Sequence, residues 1–184
     1  LHLIERITNR EFVTYNLENE LKDIIRERDE IVRDRFDRII EKCTIVNINE
    51  RMQCRELFET IAYHVSEKMN VDRDNILDLL ISREKESSTA ISDFIAIPHI
   101  IVEGNSEFDI FMFRGREGFQ FTDKYDKIRA VFVLIGTKDE RNFHLRAISA
   151  IAQMVRDPVF EQRWDEAKNI ENLRDVVLLG KRTR

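Results

Sequence analysis

His99 is the residue of this chain best placed to do chemistry. It follows the apolar run Ile95-Ala-Ile-Pro98, and the proline locks its own φ and lacks an N–H, so Ile95–Ile97 can pair as a strand only up to that point. The spacing predicts that His99 stands where a sheet gives way to a loop, a frequent position for reactive groups, and imidazole can act there as nucleophile, base or proton donor near neutral pH. Two further residues extend the set. Arg83 ends a helical pattern upstream and offers a guanidinium fork that is always charged. His144 lies near the start of a helical pattern downstream, where unpaired N–H groups and the positive end of the helix dipole favour an anion. An imidazole beside such donors suits an anionic group, and nothing in these three residues calls for a metal, a cofactor or a carboxylate dyad.

Each residue also has a plainer reading. His99 alone would be a loop histidine held by hydrogen bonds, Arg83 a solvated helix end, and His144 a helix-surface histidine. Ser87, Ser88 and Thr89 either simply end the helix or turn hydroxyls and N–H groups toward an anion. His64, flanked by Tyr63 and Val65 on an apolar helix, is read as structural.

The elements that must position these side chains are read from periodicity, since five glycines and two prolines give little punctuation. Residues 1–16 are ambiguous. From Leu17 to about Lys42, apolar residues recur at helical spacing among alternating charges, with Asn16 as N-cap. Ile25, Val32 and Ile39 are spaced by heptads, which allows a partner helix and a homodimer, although Arg28 and Arg35 interrupt the seam. The charges are otherwise a solvated face. Cys43–Ile48 reads as a strand, and a helix capped by Asn49 then runs to Met69, burying Met52, Leu57, Phe58, Ile61, Val65 and Met69. Another helix spans 73–85. Strands follow at 95–97, 108–113, 118–121 and 129–136, the last so continuously apolar that it must be covered on both faces. Helices are expected at 140–156, 158–168 and 170–178, Pro158 suiting a first turn. This order makes an α/β fold, a mixed sheet sandwiched by helices, with an N-terminal extension over 1–42 and the domain over 43–184.

The chain has 184 residues, 42% hydrophobic and 35% charged, with a formal net charge of −5. That suffices for one core and gives no basic field to draw the protein onto nucleic acid. Two cysteines, Cys43 and Cys54, make no disulfide framework and no zinc motif, so a reducing, cytoplasmic setting is expected. No run of ~18 apolar residues is present, so no direct membrane insertion is expected. The first residue is Leu1 and not Met, as expected for a piece of a longer polypeptide or for a chain whose disordered start is left out.

Taken together, Arg83-Glu84, Ser88-Thr89, Ile95-Ala-Ile-Pro-His99, His144-Leu-Arg-Ala-Ile and Val155-Arg-Asp-Pro-Val-Phe160 resemble the fructose/mannitol-type enzyme IIA domain of the bacterial phosphoenolpyruvate-dependent sugar phosphotransferase system, including its nitrogen-regulatory relatives. The resemblance covers roughly residues 43–180. It implies that His99 receives a phosphoryl group from the phosphocarrier HPr and passes it to an enzyme IIB domain. Arg83 and His144 then fall on positions that surround the phosphate, with Ser88 and Thr89 beside them. The partners it implies are an HPr-like carrier or the membrane domain of a transporter to which this segment is attached. The alternative is a regulatory domain that is not phosphorylated and binds a ligand or partner protein. Where the family usually has glycines around the histidine, this chain has Ala90, Ser92, Asp93 and Phe94, then Ile100–Val102. An altered docking surface is expected there, with Asp93 a like charge near any phosphate.

Overall fold

Residues 130–136 demand cover on both faces, and the computed structural model, which describes residues 20–22, 24 and 33–184, makes them the middle of a mixed sheet. The chain divides into two units, residues 1–34 with Arg184 and residues 35–183, and all elements below lie in the second. Their order is α1 (Arg35–Lys42), β1 (Thr44–Ile48), β2 (Met52–Gln53), α2 (Cys54–Met69), α3 (Arg73–Glu86), β3 (Ile95–Ala96), β4 (His99–Val102), β5 (Phe108–Gln120), β6 (Ile128–Thr137), a 3-10 turn Lys138–Glu140, α4 (Arg141–Met154), α5 (Val159–Glu166) and α6 (Ile170–Leu178). β5 and β6 form an antiparallel centre; β1 and β2 run parallel to β5, and β3 and β4 run parallel to β6.

The two-residue period of the strands sorts their side chains between two cores. Ala130, Phe132 and Leu134 of β6 join Ile110 and Met112 of β5 in a core closed by α1, α4, α5 and α6, through residues such as Phe36, Ile40, Ile151, Trp164 and Val177. Val131, Val133 and Ile135, with Phe111, Phe113 and Phe119, face the opposite core, closed by Leu57, Phe58, Ile61 and Val65 of α2 and Ile76 and Leu80 of α3. The α/β sandwich with a mixed sheet is the fold expected.

Several local expectations are corrected. Most of the helix expected over 17–42 lies outside the described residues; where it is described, Arg33 and Asp34 are not helical and α1 starts afresh at Arg35. Phe36 and Ile40 then anchor α1 in the domain core, where Ile39 packs as well, so this last heptad position faces its own domain rather than a partner helix. The second helix begins at Cys54, not after Asn49, because Gln53 and Glu56 form a reciprocal capping box there, with Gln53 N–H donating to Glu56 Oε2 at 2.9 Å. Met52, expected on that helix, is instead in β2, paired with Phe119. The strands expected at 108–113 and 118–121 are one strand, β5, with a register shift between Arg114 and Phe119. Gly118 takes φ +88° inside that irregularity, a conformation L side chains rarely adopt, so the strand bends and continues.

The most consequential correction concerns His99. Pro98 interrupts the edge of the sheet for a moment only: its carbonyl accepts from Leu134 N–H at 2.9 Å, and pairing resumes with His99 opposite Leu134. His99 opens a strand and does not begin a loop. Its backbone is therefore held by the sheet on the side of β6, a firmer mount than a loop end.

Candidate functional site

Arg83 reaches His99 because α3 is pinned at both ends. Asp72 caps its start, accepting from Asn75 N–H at 2.9 Å, and Ser87 leaves the helix in an extended conformation. In the last turn the Arg83 Nη1 donates to the Ser87 carbonyl at 3.0 Å, which orients the guanidinium so that its Nε–H donates to His99 Nε2 at 3.2 Å. The Ser–Thr segment serves that turn. Thr89 is buried, and both its amide (3.0 Å) and its hydroxyl (2.6 Å) donate to Glu84 Oε2, while Ser88 Oγ accepts from Ala90 N–H at 3.2 Å. Neither Ser88 nor Thr89 lines the cavity described below.

The other ring nitrogen of His99, Nδ1, lies 2.8 Å from the Ile97 carbonyl oxygen. A carbonyl can only accept, so Nδ1 carries the proton and Nε2 presents its lone pair to Arg83. Burial lowers the pKa of His99, and the nearby Arg83 charge lowers it further, against the opposing pull of the Ile97 carbonyl, Glu86 and Glu84. The ring is thus held neutral, in the tautomer whose Nε2 can attack.

His144 stands one turn into α4, its ring 5.7 Å from that of His99 and nearly edge-on to it at 75°. Phe108 backs it at 5.4 Å. It is only 4% exposed, yet neither ring nitrogen has a hydrogen-bond partner among the described residues. Burial, aided by the proximity of His99, pushes its pKa down to about 4, so this imidazole too is neutral and retains one N–H with nothing to receive it. Such an orphan polar group in a buried place calls for a ligand or a strained role.

The three residues expected to act together therefore do meet, at the edge of the sheet where α3 from one layer and α4 from the other flank β4. They line a cavity of about 550 Å³. Its walls also include Glu86, Lys138 of the 3-10 turn and Arg141 at the start of α4, none of which stood out in the sequence. Arg141 could have been found, because it lies three positions before His144 and so on the same helix face. Asp93, expected as a like charge beside any phosphate, is exposed but not among the lining residues; Glu86 is the carboxylate that is. Phe94 is 8% exposed and packs into the core, its carbonyl accepting from Arg129 and Ala130 N–H, so its bulk is not at the cavity mouth. Ile100, by contrast, does line the cavity. His64 lies against Phe113 at 6.0 Å, away from these groups. Among the described residues there is no cluster of three potential metal ligands, and no helix is long and apolar enough to cross a membrane.

The family model described as "Phosphoenolpyruvate-dependent sugar phosphotransferase system, EIIA 2" matches residues 39–178. A phosphotransferase-system fructose-specific EIIA component of Haloferax volcanii is 28% identical over 107 residues, covering 58% of this chain and 70% of that protein. A nitrogen regulatory protein of Klebsiella oxytoca is 24% identical over 139 residues, covering 74% of this chain and 85% of its own length. In fold, the crystal structure of nitrogen regulatory protein IIA-Ntr from Neisseria meningitidis matches with a TM-score of 0.66 at 19% identity, over 73% of this chain and 92% of that one.

Proposed function

The chain belongs to the EIIA 2 family of the phosphoenolpyruvate-dependent sugar phosphotransferase system over residues 39–178, and from that premise we propose that His99 Nε2 accepts a phosphoryl group from an HPr-like phosphocarrier. The group then passes to an enzyme IIB-like partner, or is held as a signal, and the domain works as a regulatory part of a transport system on the cytoplasmic side. The observation that carries this reading is the polarity of the His99 ring: Nδ1–H is committed to the Ile97 carbonyl at 2.8 Å, and Nε2 faces Arg83 at 3.2 Å.

In this mechanism the Nε2 lone pair attacks phosphorus in line. A nitrogen–phosphorus bond forms as the bond from phosphorus to the carrier's leaving atom breaks, and that atom keeps the electron pair. Positive charge developing on the ring is stabilised by the Nδ1–H hydrogen bond to Ile97. Once the lone pair is used, the Arg83 N–H turns from Nε2 to a phosphoryl oxygen, a charge-assisted bond stronger than the one it replaces. His144 donates its orphan N–H to another oxygen. Both donors are in place before reaction, so little reorganisation is needed as charge shifts. Thr89, clasped by Glu84, and Ser88, which accepts from Ala90 N–H, contribute by holding the turn that aims Arg83. The residues ahead of α1 serve as the connector to a transporter membrane domain.

A second reading, a regulatory domain that binds a ligand without being phosphorylated, is favoured by one observation: a cavity of about 550 Å³ is far roomier than a phosphoryl group requires. Incubation with phosphoenolpyruvate, enzyme I and HPr separates the two. The proposed function yields an acid-labile phosphoprotein that His99→Ala cannot form, and an unmodified wild-type protein leaves the second reading.

A further inference from the structure

Lys138 and Arg141 have no part in the chemistry above, yet they line the same cavity as His99. Their neighbouring carboxylates are already engaged: Glu140 with Arg35 at 2.7 Å, and Asp139 with the Ser106 amide at 2.8 Å and the Thr137 hydroxyl. Arg83 enters from α3, and among the described lining residues Glu86 is the one carboxylate, leaving three cations against one anion. Ile100 and Ile101 of β4 and Leu145 and Ile148 of α4 complete the lining, so the cavity has apolar surface beside its charges. The volume, about 550 Å³, falls in the range of small-molecule sites. An independent observation points the same way: His144 is 4% exposed, lines the cavity and leaves both ring nitrogens unpartnered.

We propose that this cavity is a two-point anion site for a small organic molecule bearing a phosphate and a second anionic group, the phosphate held by the N–H donors of Arg83 and His144 over His99 and the second anion at Lys138 and Arg141. A ligand seated in this way covers His99 Nε2. It therefore competes with the phosphoryl donor and makes the phosphorylation state report the concentration of the ligand. That regulatory consequence rests on the phosphohistidine reading; the binding itself does not.

The test uses two probes of one skeleton, 3-phosphoglycerate with a carboxylate and glycerol 3-phosphate with a hydroxymethyl group in its place, titrated calorimetrically into the whole chain at low salt and neutral pH. The expected result is that 3-phosphoglycerate binds roughly tenfold or more tightly than glycerol 3-phosphate, the size of one or two charge-assisted contacts. Replacing Lys138 and Arg141 together by alanine abolishes that preference, and Arg83→Ala weakens both probes. Lys138 and Arg141 are exposed, so the double variant keeps the fold, checked by circular dichroism. Equal affinity for the two probes, or a preference that survives the double variant, overturns the second subsite; no binding of either probe overturns the site entirely. Phosphorylation of His99 by the carrier, run with and without 3-phosphoglycerate, tells the two proposals apart. Phosphorylation without ligand binding defeats only the inference, and binding without phosphorylation defeats only the proposed function.

Discussion

Arg83 and His99 are joined by one hydrogen bond, Nε–H to Nε2 at 3.2 Å, which sets a permanent charge against the nitrogen proposed as nucleophile. The contact both depresses the basicity of the ring and stores the donor next to where phosphate oxygens will be. Arg83→Ala is expected to lower the rate of phosphorylation at saturating carrier by ~10²–10³, as for loss of one preorganised donor. Arg83→Lys restores only part, because a point charge cannot reach the imidazole and the Ser87 carbonyl as a planar fork does. Rapid-quench measurements with labelled donor read both effects, and equal rates in Arg83→Ala and wild type would remove Arg83 from the mechanism.

The pH dependence follows from the two histidines. His99 is lowered from 6.5, so it stays neutral to a more acidic pH than free imidazole. The phosphorylation rate is therefore expected to be flat from pH ~8 down to the ordinary histidine range and to fall only below it. Stability has the same sense. His144 is lowered from 6.5 to about 4, so between those values the unfolded chain binds a proton that the folded chain does not. Stability is thus complete above 6.5 and is lost progressively as pH falls toward about 4. Urea melts at a series of pH values measure this, and a midpoint that rises on acidification over that span contradicts it.

His144→Leu separates stability from function. The wild-type imidazole is buried with both nitrogens unpartnered, and replacement by an apolar group of similar size removes that penalty, a gain of about 1 kcal/mol. Phosphorylation should fall by ~10²-fold in the same variant, since the donor to the phosphoryl oxygen is gone. Denaturant midpoints and phosphorylation rates moving in the same direction would refute the assignment.

That Arg83, His99 and His144 line one cavity was legible from the family resemblance, while their local cues alone, a proline before His99, a helix end at Arg83 and a helix start at His144, left each with a plainer reading. What escaped was whatever depends on three-dimensional closure. His99 could not be recognised as the first residue of a strand, since Pro98 breaks the pairing for one residue and only β6, some way along the chain, restores it. The capping role of Gln53 was hidden because Asn49 is the better cap by type, while the partner Glu56 sits at the right spacing only for Gln53. Lys138 and Arg141 look like ordinary surface charges until α3 is brought opposite them. The apolar strand core was easy to read, because burial on both faces leaves an unbroken hydrophobic run at 130–135.

Phe94 tests the idea that bulk beside the histidine changes docking. Its ring is packed in the core, so Phe94→Gly is expected to cost about 3–5 kcal/mol of stability, as for other buried aromatic truncations, and to leave binding of a carrier no tighter. Denaturant unfolding and a carrier titration check this; tighter carrier binding with unchanged stability would place the ring at the interface after all.

The most direct measurement is phosphorus NMR on the intact chain after incubation with phosphoenolpyruvate, enzyme I and HPr. A single acid-labile phosphohistidine resonance, of the Nε2 type and absent in His99→Ala, is the predicted result. Phosphate on Nδ1, phosphate that survives His99→Ala, or no phosphohistidine at all would contradict the reading of His99 as an Nε2 nucleophile aimed by Ile97 and Arg83.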